Sequence, residues 1–329
     1  MMSDTQKLGE MAPVVMIGYT RTRTLEKSLG RLSLCDGLGG RTLKLYLDAP
    51  YRPEDQGACD LMYKVACKIR DESLPRLQII RRDRNFGVPG NLLAAMRENL
   101  DMYGRVIFFE DDVCVSRTFL TFMDAALSFY ERDHRIFCIN GYQSPYLRIP
   151  RNYKHDVYLN PRNMAWGFGI WKDRWDAVDF DMKDWPVFGA DKEQLKKLND
   201  AGVDLESLVK AQVSGAIHTW DVQCSYYMAK NELYAVEPRY GMTKNIGFGP
   251  GGVHCSGVSS AHDSQKYYNF IPKLLEGLSV DSRITRQLKY ACADPRPFPR
   301  IVRKVERILW GWGAKHDEPI DANSYSMTL

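Results

Sequence analysis

Three consecutive carboxylates, Glu110-Asp111-Asp112, follow directly on the apolar run Val106-Ile107-Phe108-Phe109. If that run is a buried strand, the triplet stands at its carboxyl end, where open α/β sheets bind their ligands. Carboxylates this close repel one another unless a cation sits among them. Hard oxygen ligands suit Mg2+ or Mn2+, with water and phosphate oxygens completing the shell. The competing reading is a solvated acidic turn. Asp48 ends a second apolar run, 43–47, in the same way. It can accept from a base N–H or a ribose hydroxyl, or cap a turn. Arg81-Arg82-Asp83-Arg84-Asn85-Phe86-Gly87 follows a third run and opens a helix, which makes it either an anion site at a helix N-terminus or a solvated basic loop.

Two further groups could act on protons or phosphates. Asp221 opens a helical pattern after His218-Thr219-Trp220, where a cap is the ordinary role of an aspartate. His254 lies in the glycine-rich run Gly247-Phe248-Gly249-Pro250-Gly251-Gly252-Val253-His254, whose small flanks admit a phosphate. Trp166, Trp171 and Trp220 offer flat apolar faces to a sugar, and equally to a core.

These groups need a scaffold. Residues 13–140 alternate short β-branched runs with helical spacing, which predicts βαβ units and a mostly parallel sheet. Strands are expected at 14–17, 43–47, 77–80, 105–109 and 136–139, and helices at 22–34, 53–70, 91–102 and 119–130. From 142 to 190 the chain reads as aromatic-rich loops, followed by helices within 191–213 and 220–230 and a strand at 234–236. The organisation expected is a flexible 1–12, a nucleotide-binding half 13–140, an acceptor-binding half 141–265 and a helical extension 266–329.

Composition narrows the classes. The 329 residues are 44% hydrophobic, 12% aromatic and 26% charged, with a formal net charge of +4. A nucleic-acid footprint needs concentrated positive charge, so no nucleic-acid partner is expected. The eight cysteines form no CxxC pair. Several lie in apolar runs, where free cysteine acts as a small hydrophobe, so a reduced, cytoplasmic protein is expected. The polar start lacks a signal-like apolar region, and no apolar run approaches 18 residues.

As an ordered set, these segments resemble bacterial GT-A fold glycosyltransferases of the family-two-like group. The chain is also similar, more remotely, to eukaryotic N-acetylglucosaminyltransferase I. The resemblance runs from Pro13 to His262 and is carried by 14–29 with Gly18-Tyr19-Thr20-Arg21 at its turn, Arg84-Asn85-Phe86-Gly87, Ile107 to Asp112, Trp166 to Trp171, Thr219 to Gln223, and Asn245-Ile246-Gly247-Phe248-Gly249. It implies a nucleotide-sugar-binding α/β fold and an inverting, metal-dependent transfer. The donor is a nucleotide-diphosphate sugar, by default a UDP-sugar, and the acceptor a hydroxyl of a glycan or lipid-linked glycan in bacterial surface-polysaccharide synthesis.

Carried over, the resemblance places Tyr19, Arg21, Asp48, Arg84, Asn85, Glu110 and Asp111 around the nucleotide sugar. Asp112, with His254, holds Mn2+ or Mg2+, and Asp221 is the catalytic base. Trp166, Gly167 and Trp220 lie on the sugar or acceptor side. The family often has Asp-Gly after the second strand where this chain has Asp48-Ala49-Pro50. A sugar-1-phosphate nucleotidyltransferase would want a glycine-rich loop after the first strand, and Gly18-Tyr19-Thr20-Arg21 has one glycine. A non-catalytic metal-dependent carbohydrate-binding protein would not need Asp221. In the tail, Arg300 to Trp312 forms a basic amphipathic helical pattern. It suits the inner face of an anionic membrane as a peripheral contact, or docking on the catalytic domain or a second subunit of a homodimer.

Overall fold

The computed structural model describes residues 11–248 and 265–292. Five strands alternate with helices through the first part of the chain. They are β1 (Val14–Gly18), β2 (Leu43–Leu47), β3 (Leu77–Arg81), β4 (Arg105–Glu110) and β6 (Ile136–Asn140), with a short β5 (Val113–Val115) after β4. The helices between them are α1 (Thr22–Ser33), α2 (Gln56–Glu72, entered through a 3-10 turn at Pro53–Asp55), α3 (Gly87–Tyr103) and α4 (Phe119–Phe129). Strands β7 (Val157–Asn160), β8 (Phe168–Trp171), β9 (Tyr234–Pro238) and β10 (Thr243–Asn245) follow. Among them lie helices α5 (Lys172–Asp176), α6 (Trp185–Phe188), α7 (Lys192–Ala201), α8 (Leu205–Val213) and α9 (Asp221–Lys230), and α10 (Ser282–Leu288) comes last.

The main sheet has eight strands in the order β3-β2-β1-β4-β8-β6-β9-β7. Strands β1 to β4 are mutually parallel, β8 runs against β4 and β6, β9 follows β6, and β7 runs against β9. The α/β architecture expected from the sequence, a mostly parallel sheet flanked by helices, is the one the chain adopts. Strands β1 and β4 are apolar and buried on both faces, as a central parallel strand requires. Val14 and Met16 pack with Leu25, Leu29 and Met62 on one side; Val15 and Ile17 pack with Leu92 and Met96 on the other.

The stretch 142–190, expected as loops, contains β7 and β8. Strand β8 fills the centre of the sheet between β4 and β6. All four of its residues are buried, so it shows no alternation, and Leu127 packs tightly over Gly169 (an added Cβ would lie 3.0 Å from Leu127 Cδ1). Helix α3 starts one turn before the expected Asn91 because Pro89 is tolerated in a first turn. The run 191–213 is two helices, broken at Gly202. Among the described residues no helix is long and apolar enough to cross a membrane. The basic helical pattern 300–312 lies outside the described residues, as does His254.

Candidate functional site

The register brings the carboxyl ends of three strands together. Gly18 lies opposite Leu47, and Ile17 opposite Glu110. From β1 the sheet grows one way to β2 and β3 and the other way to β4, so these ends flank a topological switch point, where open α/β sheets bind ligands.

On the β2 side, Asp48 turns back into the protein. Its Oδ1 accepts from the backbone N–H of Ala49 at 3.0 Å and of Phe86 at 2.9 Å. Phe86 precedes α3, so Asp48 caps that helix from a distance. Burial raises the Asp48 pKa against these hydrogen bonds. Asn85 closes the same junction, donating to Ala49 O at 2.6 Å and accepting from Gly87 N at 3.1 Å. The turn and cap alternatives for Asp48 therefore describe contacts it makes. Tyr19 works similarly: its hydroxyl donates to Asp55 Oδ2 at 2.7 Å and accepts from Tyr51 N at 2.8 Å, fixing the 49–55 loop at the crevice rim. Arg84 is exposed, with its guanidinium 5.1 Å from the Phe86 ring.

The acidic triplet is the electrostatic centre. A cation does sit among the carboxylates, and it is Arg21. Its Nη1 meets Asp112 Oδ2 at 2.6 Å and its Nη2 meets Asp111 Oδ1 at 2.5 Å, one guanidinium spanning two carboxylates. Burial works against the Arg21 charge, but Asp111 and Asp112 outweigh it and raise its pKa. Burial pushes the Asp111 carboxyl up to about 7, with Asp112 adding and Arg21 opposing. Glu110 is pushed up to about 8, again by burial first, then by Asp112 and Asp111. Asp111 is 2% exposed and tied to Arg21 and the Tyr19 amide. It forms part of the crevice wall beside Asp112.

The opposite wall is the segment after β10. Ile246 N donates to Asp112 O at 2.7 Å, and Gly247 N to Asn245 Oδ1 at 2.7 Å. A Cβ on Gly247 would fall 2.0 Å from Asp112 Oδ2 and 3.0 Å from Arg21 Nη1. Only glycine fits so close an approach. Asp112 Oδ1, by contrast, is buried and has no hydrogen-bond partner. Such an acceptor is costly unless a ligand or ion completes it. Trp166 stands beside this wall, edge-on to Tyr142 and to Phe248, with ring centroids 4.6 and 5.4 Å away.

Asp221 begins α9 as expected and is partly exposed. Its charge reaches Glu110, adding to the upward push there, and it reaches Arg162. Behind it lies a polar cluster that the sequence reading missed. Arg162 pairs with Asp204 at 2.8 Å. Glu237, fully buried, accepts from Tyr158 OH, from Asn160 Nδ2 at 2.7 Å and from Asn140 Nδ2 at 3.0 Å. Burial pushes its carboxyl up to about 7 against those three donors. The signal available was a lone charge in the apolar run 234–238.

Several expected site residues have other duties. Trp220 is buried, stacked on Phe168 at 5.4 Å and edge-on to Phe108 at 5.7 Å, so its faces are spent on the core. Trp171 lies opposite Arg105, at the far end of the sheet from Glu110, and donates to Leu127 O. Gly167 has φ of 95° and no room for a Cβ beside Thr243. It turns the chain from Trp166 into β8 and presents no side chain to a sugar. Among the described residues, no group of three or more His, Cys, Asp or Glu side chains is arranged to hold a metal ion. Asp112, with Asp111 beside it, is what remains for a cation.

No protein-family model matches the chain, and no curated protein matches its sequence. Solved structures give distant likenesses. A Staphylococcus aureus TarS structure (residues 1–349) is 12% identical with a TM-score of 0.37, covering 69% of this chain and 59% of that one. The same fragment with UDP-GlcNAc is 10% identical with a TM-score of 0.36, covering 78% and 61%. Galactosyltransferase LgtC with donor and acceptor sugar analogs is 12% identical with a TM-score of 0.33, covering 72% and 74%. The chain spans 25% to 61% of the length of the TarS structures it matches. At these TM-scores the likeness assigns no activity, substrate or residue.

Proposed function

We propose that this chain is a glycosyltransferase that takes a sugar from a nucleotide-diphosphate donor, a UDP-sugar by default, and inverts the anomeric centre. The observation that carries the reading is the buried, unpartnered Asp112 Oδ1 beside Asp111 and Arg21 at the switch point of a mostly parallel sheet. The site combines a spare hard-oxygen ligand with a guanidinium, the pair of groups a metal-bound diphosphate needs. Asp112, with Asp111 beside it, would hold Mn2+ or Mg2+. When bound, that ion supplies positive charge to offset what gathers on the departing diphosphate.

The protein's own residues supply the rest. Asp48, Asn85 and Tyr19 stiffen the loops on the nucleotide side, so little ordering is left for binding to accomplish. Arg21 can transfer one arm of its fork from Asp112 to a phosphate oxygen. Asp221, whose charge reaches Glu110 at the same strand end, takes the proton from the acceptor hydroxyl as the hydroxyl oxygen bonds to the anomeric carbon and the bond to the diphosphate breaks. Trp166 offers a partly exposed apolar face for the sugar. The acceptor in this reading is a glycan or lipid-linked glycan hydroxyl.

Calorimetry of UDP with and without Mn2+ tests the donor half of this reading. UDP binding that tightens when Mn2+ is added supports it. No UDP binding in either condition removes the nucleotide site, and with it the proposal.

A further inference from the structure

Arg21 and a divalent cation want the same carboxylates. The guanidinium holds Asp112 Oδ2 and Asp111 Oδ1. On the other side of Oδ2 stands the Gly247 backbone, so close that a Cβ there would lie 2.0 Å away. Asp112 therefore cannot retreat from Arg21 toward that wall. The side chains of Asp111 and Asp112 are 3% and 6% exposed, whereas that of Arg21 is 32% exposed. Of the three, only the arginine has room to move, and it covers the other two. It is anchored at its backbone, where its carbonyl accepts from Thr24 Oγ1 at the start of α1, so the movable part is the side chain.

We propose that Arg21 gates the cation site. With its fork on Oδ2, the guanidinium sets a positive charge beside the buried, unpartnered Oδ1 and opposes a divalent cation there; a nucleoside diphosphate makes release of Asp112 favourable by giving the guanidinium a phosphate in exchange. This rests on the reading of Asp112 as the cation ligand given above. The consequence is a coupling between two ligands: cation alone binds poorly, diphosphate alone meets an arginine already engaged, and each helps the other by the same factor. Once the exchange is made, Asp111 and Asp112 have given up their guanidinium, and a divalent cation can take its place as the positive charge between them.

The test measures binding and needs no turnover. Free Mn2+ is followed by electron paramagnetic resonance during titration of the full chain, alone and with saturating UDP. For the parent protein, weak Mn2+ binding that tightens with UDP is expected. Arg21→Met is expected to bind Mn2+ alone about 5- to 150-fold more tightly, the ordinary size of a coupling between sites, with a smaller gain on adding UDP. Arg21→Lys keeps a charge beside the carboxylates and loses the two-armed fork, so it guards the fold if the Met variant fails to form. Its Mn2+ affinity is expected between the other two. Parental Mn2+ affinity in every folded Arg21 variant, with the parent still binding UDP and Mn2+ together, overturns the gate and leaves the site reading standing. No Mn2+ binding by the parent even with UDP present overturns both.

Discussion

Replacing Gly247 by alanine adds one methyl group at the point where the two walls of the crevice meet. The new Cβ would lie 2.0 Å from Asp112 Oδ2 and 2.8 Å from Asp112 Cγ, about 1.4 Å short of ordinary contact. Asp112 has little freedom to yield: its backbone oxygen is held by Ile246 N, its carboxylate by Arg21, and it is 5% exposed. Overpacking of this kind costs about 1–3 kcal/mol. With an unfolding entropy of about 2.1 cal/mol/K per residue over a single cooperative unit of this length, Tm falls by about 1.5–4 °C. If the same displacement is charged to the site, the affinity for UDP with Mn2+ weakens about 5- to 150-fold. Gly57→Ala is the control, since Gly57 is an exposed position of α2 with nothing within 4 Å of its Cβ position, and it should be neutral or slightly stabilising. Thermal melts and calorimetry are the assays. A Gly247→Ala protein that melts and binds UDP like the parent would refute the close approach of this segment to Asp112.

Asp112→Asn replaces a hard anionic ligand by an amide. Calorimetry should show UDP affinity that no longer responds to Mn2+, and a response equal to the parent's would remove Asp112 from the cation site. Asp221→Asn should leave UDP binding near the parent value and lower kcat by roughly 10² to 10⁴-fold, the loss of a general base. If kcat survives and only stability falls, Asp221 is a helix cap. At Glu237 the folded pKa is raised from 4.5 to about 7, so between these values the folded chain keeps a proton that the unfolded chain has lost. That contribution is fully present below about 4.5 and is lost as pH rises through 7, a change of up to about 3 kcal/mol. Chemical denaturation across this range should show Glu237→Gln with a shallower fall in stability, and equal slopes in the two proteins would exclude the assignment.

Much of the scaffold was legible because parallel strands buried on both faces read as short apolar runs. β1, β2, β3 and β4 each end next to a residue singled out for its chemistry: Gly18-Tyr19, Asp48, the 81–87 run and Glu110. Strand β8 was not legible. Four buried residues with glycine at two of the flanking and internal positions carry neither alternation nor a length that distinguishes them from a loop. The acidic triplet was found as a run of charge, and its position at the β4 end followed. What the run could not convey was its partner. Arg21 lies 90 residues away in sequence from Asp111, and only the β1–β4 pairing brings them together. The tryptophans show the converse. Trp220 and Trp171 have the residue type a sugar platform needs, and burial decides against them, while Trp166 keeps a partly open face.

Transfer from a nucleotide-diphosphate sugar is read in the products of donor turnover. The full chain is incubated with a panel of nucleotide sugars and Mn2+, without acceptor, and slow release is followed by chromatography. Free sugar and nucleoside diphosphate from one preferred donor are expected, with release abolished in Asp112→Asn. Pyrophosphate formed instead from a sugar-1-phosphate and a nucleoside triphosphate, with every nucleotide sugar left intact, would contradict it.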